Sequence, residues 1–251
     1  MTFAVATSQA SAASAGLVHT GTTQTRGFRF KKTLSDAEQR GKRLRRMKQN
    51  VITSARLNVE EAQQGGFRGR WAMLTLTYRE DVRWVANQVA ALLDCLRKYC
   101  ARCGFKARYV WVLELTKRGR PHYHVLVWLP KGRSLPKPDK QGWWKHGLTR
   151  IEWARNAIGY LAKYASKGDD YDLRTLPGGA RLSGNGGLSV QSRVELRWWK
   201  LPTWVREVWN EITNVGRTKG GYVNRETGEF LASRYAVIFI GGALCLYEVT
   251  P

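Results

Sequence analysis

Trp111-Val112-Leu113-Glu114-Leu115-Thr116-Lys117-Arg118-Gly119-Arg120-Pro121-His122-Tyr123-His124-Val125-Leu126-Val127-Trp128-Leu129 consists of two apolar runs around a basic turn with one glycine. That is the pattern of a β-hairpin. In a strand, His122 and His124 project from one face and Tyr123 from the other. If Glu114 stands opposite His122, Val112 stands opposite His124, and cross-strand partners share a face. Glu114 then joins the two imidazoles, and the three form a facial ligand set for a divalent metal. A slip of one residue in the register takes Glu114 off that face. A histidine in a strand is otherwise an ordinary core or surface residue with a hydrogen bond.

Working outward, Tyr160-Leu161-Ala162-Lys163-Tyr164-Ala165-Ser166-Lys167 has the spacing of a helix that carries Tyr160 and Tyr164 one turn apart on one side. Lys163 and Lys167 each follow a tyrosine by three residues and fall close to the same side. A plain amphipathic helix, with half-buried tyrosines and solvated lysines, gives the same pattern.

Together these stretches resemble a known family. His122-Tyr123-His124 is similar to the histidine-hydrophobe-histidine motif of the HUH endonucleases. Tyr160 to Lys167 resembles the two-tyrosine motif of rolling-circle replication initiators of single-stranded DNA phages, filamentous type, and Leu74-Thr75-Leu76-Thr77-Tyr78 resembles their first motif. The three occur in the family's order, over roughly residues 70 to 170.

The resemblance implies metal-dependent nicking and joining of DNA at an origin. Tyr160 and Tyr164 would be the nucleophiles, with Lys163 and Lys167 beside them at the phosphate. His122, His124 and Glu114 would hold Mg²⁺ or Mn²⁺, and Zn²⁺ is a rival on ligand type. A 5′-phosphotyrosine intermediate and a free 3′-OH would follow. The implied partners are single-stranded or supercoiled origin DNA, a host helicase and a host DNA polymerase. A relaxase usually supplies a third histidine and an early tyrosine, and an HUH transposase has one tyrosine, so the order and the pair favour an initiator.

Composition agrees with a nucleic-acid partner. The 251 residues hold 42 Lys and Arg against 19 Asp and Glu, a net charge of +23, which calls for a polyanion. A catalytically silent single-strand binder shares this charge and could use the eleven tryptophans for stacking. No Walker-type phosphate loop occurs, so unwinding falls to another protein. Cys100-x-x-Cys103 has no second pair near it, and the four cysteines read as reduced thiols. No apolar run approaches the roughly 20 residues of a membrane span, and no basic signal region opens the chain, so a cytoplasmic protein is expected.

The expected fold is α+β: a central antiparallel sheet with flanking helices, of the HUH type, plus a C-terminal β-rich extension. Residues 1–30 read as a disordered tail, 31–66 as a basic helix opened by the Ser35-Asp36-Ala37-Glu38 capping box, 67–175 as the nicking core, and 176–251 as a Gly-rich loop, a helix and hairpins. Asp81 is expected to cap a helix over 82–102. Thr149-x-x-Glu152 is a second possible capping box. Trp143 and Trp144 are expected to close over the core. Pro177 to Ser189 reads as a mobile loop, and Val190 to Trp198 as strand-like.

Overall fold

The computed structural model describes residues 28–249 except 67, 117 and 167–175, and the side chains of Ala157, Tyr164 and Ser166. In chain order the elements are β1 (Phe28–Thr33), α1 (Asp36–Gln64), β2 (Gly69–Leu76), α2 (Gln88–Arg102), β3 (Tyr109–Leu115) and β4 (Pro121–Pro130). There follow β5 (Thr149–Ala154), α3 (Ala157–Ser166), β6 (Ser183–Gly186), α4 (Val190–Trp198) and α5 (Thr203–Trp209). The chain closes with β7 (Val215–Thr218), β8 (Gly221–Asn224), β9 (Phe230–Ala232), β10 (Tyr235–Ile240) and β11 (Ala243–Val249). The fold is α+β, built on a five-stranded sheet of order β5-β2-β4-β3-β6, and its described ladders are antiparallel.

The two central strands are covered on both faces, which is why they read as nearly continuous apolar runs. On one face Trp111 and Tyr123 pack under α2, where Arg97 Nη1 donates to Tyr109 Oη at 2.9 Å. Trp84 Nε1 donates to Tyr123 Oη at 3.0 Å on that same face. On the other face, Val59 and Gln63 of α1 and Ile158 of α3 line one cleft with the cross-strand partners Trp71 and Trp128. The period of two then places Thr75, His122, His124 and Glu114 on the α1/α3 face.

α1 begins as its capping box requires: Glu38 N donates to Ser35 Oγ at 3.2 Å, and Ser35 N donates to Glu38 Oε2 at 3.0 Å. Leu44, Met47, Val51 and Ala55 form its buried stripe, while Arg40, Lys42, Arg43, Arg45 and Arg46 remain exposed. Trp144 is buried and donates Nε1–H to Thr77 O at 2.9 Å, closing the core as expected. All four cysteines are free thiols, and burial, reinforced by Cys103, pushes Cys100 up to about 11.

Several elements differ from the expectation. Residues 28–33, read as the end of a tail and the start of a helix, form β1, which pairs with β11 at the other end of the chain. α2 starts at Gln88 and not near Val82, because Gln88 Oε1 takes Val85 N–H at 2.9 Å and Asp81 turns to Arg79. Thr149 caps no helix; it lies in β5 and donates its hydroxyl to Asp139.

The Gly-rich stretch after Pro177 contains β6, an edge strand on β3. Its glycines are there for contact: a Cβ at Gly184 would stand 2.6 Å from Trp111 Nε1, and one at Gly186 2.4 Å from Tyr109 Cζ. Val190–Trp198 is a helix opened by Ser189, whose Oγ accepts Ser192 N–H at 3.0 Å. Its alternation misleads because the helix is buried on two sides. Leu196 packs with Leu57 of α1, and Trp198 packs with Val205 and Val215 of the C-terminal unit.

Candidate active site

The β3–β4 turn is tight. Thr116 N donates to Arg120 O at 2.8 Å, Gly119 N donates to Thr116 O at 2.8 Å, and Arg120 N donates to Thr116 Oγ1 at 3.0 Å. Gly119 has φ +72°, a left-handed conformation that favours glycine. This turn sets the ladder, and the ladder has the register the spacing predicts: Glu114 opposite His122 and Val112 opposite His124.

His124 is buried and is held from two sides. Its Nε2–H donates to Glu114 Oε2 at 2.7 Å, and Nδ1 lies 3.3 Å from Thr75 Oγ1. Thr75 comes from β2, the strand on the far side of β4, so three strands fix one imidazole. A hydroxyl both donates and accepts, so Thr75 can partner Nδ1 whether or not that nitrogen carries a proton. His122 is half-buried on the same face, beside Glu114.

Two imidazoles and a carboxylate are suitable donors for a divalent cation. Two ligand atoms at right angles on one cation stand about 3 Å apart, and His124 Nε2 and Glu114 Oε2, at 2.7 Å, are near that spacing. The third position is not assembled: among the described residues no three His, Cys, Asp or Glu side chains form a group that could hold a metal ion. The residues fit a cation in chemistry and in face, with two of the three donors already adjacent.

α3 supplies the remaining residues. Asn156 opens it, accepting Gly159 N–H on Oδ1 at 2.8 Å and Tyr160 N–H on its carbonyl at 3.0 Å. Gly159 leaves room for this cap, since a Cβ there would meet Asn156 Nδ2 at 2.5 Å. Leu161 and Ala165 enter the core, and the helix packs on α1, β3 and β4. Tyr160 is 42% exposed and Lys163 is exposed, so both lie on the solvent side. Tyr164 is on α3, but its side chain lies outside the described residues, as does Lys167.

The tyrosines of the opposite face are unsuited to attack a phosphate. Tyr78 Oη donates to Gln88 Oε1 at 2.8 Å, and burial, then Tyr123, pushes its hydroxyl far up. Tyr123 is buried, and burial raises it as well.

Residues 71–169 match a family model of replication-associated proteins, the ORF2 type. The match covers somewhat under half of the chain, runs from β2 through α3, and contains every residue named above as ligand or nucleophile. It supports a replication-initiator family and a role in replication initiation. No curated protein and no solved structure matches the chain. Among the described residues no helix is long and apolar enough to cross a membrane.

Thr75 is the site residue that the sequence reading left without a role. Its signal was the Leu74–Tyr78 motif, which identifies the strand but not the partner of its hydroxyl. Arg150 on β5 is a second such residue, opposite Thr75 on the same face and paired with Glu152 at 2.8 Å.

Proposed function

We propose that this protein initiates phage DNA replication by cutting and rejoining one DNA strand at an origin through a phosphotyrosine link. The observation that carries the reading is the superposition of two motifs in one layer. The hairpin face with His122, His124 and Glu114 lies under the helix layer that includes α3, and α3 presents Tyr160 and Lys163 to solvent.

In the proposed step the Tyr160 Oη–P bond forms and the P–O3′ bond breaks. The phenol gives up its proton and the 3′ oxygen takes one, which leaves a 5′-phosphotyrosine and a 3′-OH able to prime synthesis. The link conserves the diester for rejoining, and Tyr164, one turn on, serves as the second nucleophile. A phenol with a reference pKa of roughly 10 needs activation. Lys163, and Lys167 by sequence spacing, would favour phenolate and neutralise the phosphate. A divalent cation, Mg²⁺ or Mn²⁺, held by His122, His124 and Glu114 would supply electrostatic stabilisation to the non-bridging oxygens. Thr75 keeps the His124 ring oriented. A host helicase and polymerase, in the cytoplasm of the host, complete the proposed setting.

Mass spectrometry of the adduct formed with a labelled single-stranded origin oligonucleotide and Mn²⁺ tests the reading directly. The expected product carries the nucleotide on Tyr160 or Tyr164. An adduct on any other residue, or strand cleavage with no adduct, refutes it. The second reading, a binder without chemistry, draws on the exposed cations of α1. It is supported if the protein shifts DNA equally with and without EDTA and never cuts it.

A further inference from the structure

A cleft of about 360 Å³ opens on the histidine face at the end of β2 and β4 remote from the β3–β4 turn. Trp71, Trp128, Gln63, Arg155, Asn156 and Ile158 line it, and none of its lining residues is acidic. Gly69 keeps one wall low, since a Cβ there would come within 2.6 Å of the Trp128 ring. Four strand residues separate Trp128 from His124, about 13 Å along β4.

The chemistry of the lining is specific. Indole surfaces offer stacking to an unpaired base, worth about 1–3 kcal/mol. A guanidinium and two primary amides at the rim match the acceptor and donor edges of purines. The side chains of Gln63, Arg155 and Asn156 are exposed and reach the opening. The volume lies at the small end of the range for ligand pockets, the size expected for one base and part of its sugar. A DNA strand with one phosphate over the histidine face could run along β4 into this cleft without changing sides of the sheet.

We propose that the cleft holds one unpaired purine base of the bound DNA strand, a few nucleotides from the phosphate at the histidine face, and so helps to choose where the strand is cut. This inference rests on the nickase reading above. The probe is a fluorescein-labelled twelve-nucleotide oligothymidylate, alone or with one central dG, dA or abasic site, with affinity measured by anisotropy on the full chain. One purine should tighten binding at least about fivefold, and the abasic site should not. Arg155→Ala and Gln63→Ala remove exposed tips and leave the indoles in place, and each should reduce the purine gain to less than twofold. Equal affinity for all four strands, or a purine gain that survives both substitutions, overturns the cleft assignment and leaves the nickase reading intact. Failure to bind any of the strands overturns both.

Discussion

Replacing Glu61 by glutamine should destabilise the fold by about 3 kcal/mol at neutral pH, and the loss should shrink in acid. Glu61 lies in the last turn of α1. Its Oε2 accepts Arg108 Nη1 at 2.5 Å and its Oε1 accepts Ser189 N at 2.7 Å, so one carboxylate joins α1, the approach to β3 and the cap of α4. The Glu61 and Arg108 side chains are 12% and 16% exposed, and solvent screens the pair little. Burial opposes ionisation, but hydrogen bonds from Ser192, the Ser189 backbone and Arg108 outweigh it and hold the carboxyl at about 2. The folded-state value is depressed. The stabilisation is therefore complete above the unfolded value of roughly 4.3 and is lost as pH falls through about 2. Two to two and a half pH units at about 1.4 kcal/mol each give the figure of about 3 kcal/mol, and roughly half of it remains at pH 3. Urea unfolding of both proteins, followed by tryptophan fluorescence at pH 7 and pH 3, measures the gap. Other groups titrate in both proteins and cancel in the difference. A gap below about 1 kcal/mol at pH 7, or one that does not narrow at pH 3, refutes the assignment of Glu61 as an ionised tie.

Tyr160→Phe combined with Tyr164→Phe should abolish covalent protein–DNA adducts on denaturing gels, and adducts persisting in the double variant would reject both nucleophiles. His124→Ala should lower Mn²⁺-dependent nicking at least about 100-fold while DNA still binds in a gel shift; cleavage at the original rate would exclude the hairpin as the metal site. Thr75→Val should reduce nicking by about 10- to 100-fold, and Thr75→Ser, which restores the hydroxyl, should recover most of it. Gly184→Val should cost about 1–3 kcal/mol in urea unfolding because its Cβ overlaps the Trp111 indole, and a neutral result would show that β6 can move off the ring.

The parts of the fold that were legible are those set by near neighbours. The hairpin register could be derived because its strands are joined by a short turn, and a one-residue slip would have turned every side chain over. The α1 capping box was readable for the same reason: Ser35 and Glu38 are three residues apart. What was hidden depends on partners far along the chain. Thr75 meets His124 across 49 residues, and no local pattern in Leu74–Tyr78 names that histidine. Glycines 184 and 186 look like loop residues until the flat rings of Trp111 and Tyr109 are placed against them. The alternation in α4 imitates a strand because the helix is buried from two directions, which hydrophobic periodicity alone cannot distinguish.

These long-range contacts also explain why three separated motifs behave as one site. The row Val112, His124, Thr75 and Arg150 crosses four strands, and its central hydrogen bonds join the first motif to the second. The third motif rides on α3, which is seated by Leu161 and Ala165 in the same core as Leu126 and Val112. A shift of β2 against β4 by one residue would turn Thr75 away from His124 and carry Trp71 out of the cleft. The register that orients the imidazole therefore also builds the proposed base pocket. The family match begins at residue 71, within β2, and ends just beyond α3, so it spans the strands and the helix that share this constraint. β6, α4 and Glu61 lie outside it and brace the sheet from its edge and from α1. Substitutions there should change stability before chemistry, whereas substitutions along the row should change chemistry first.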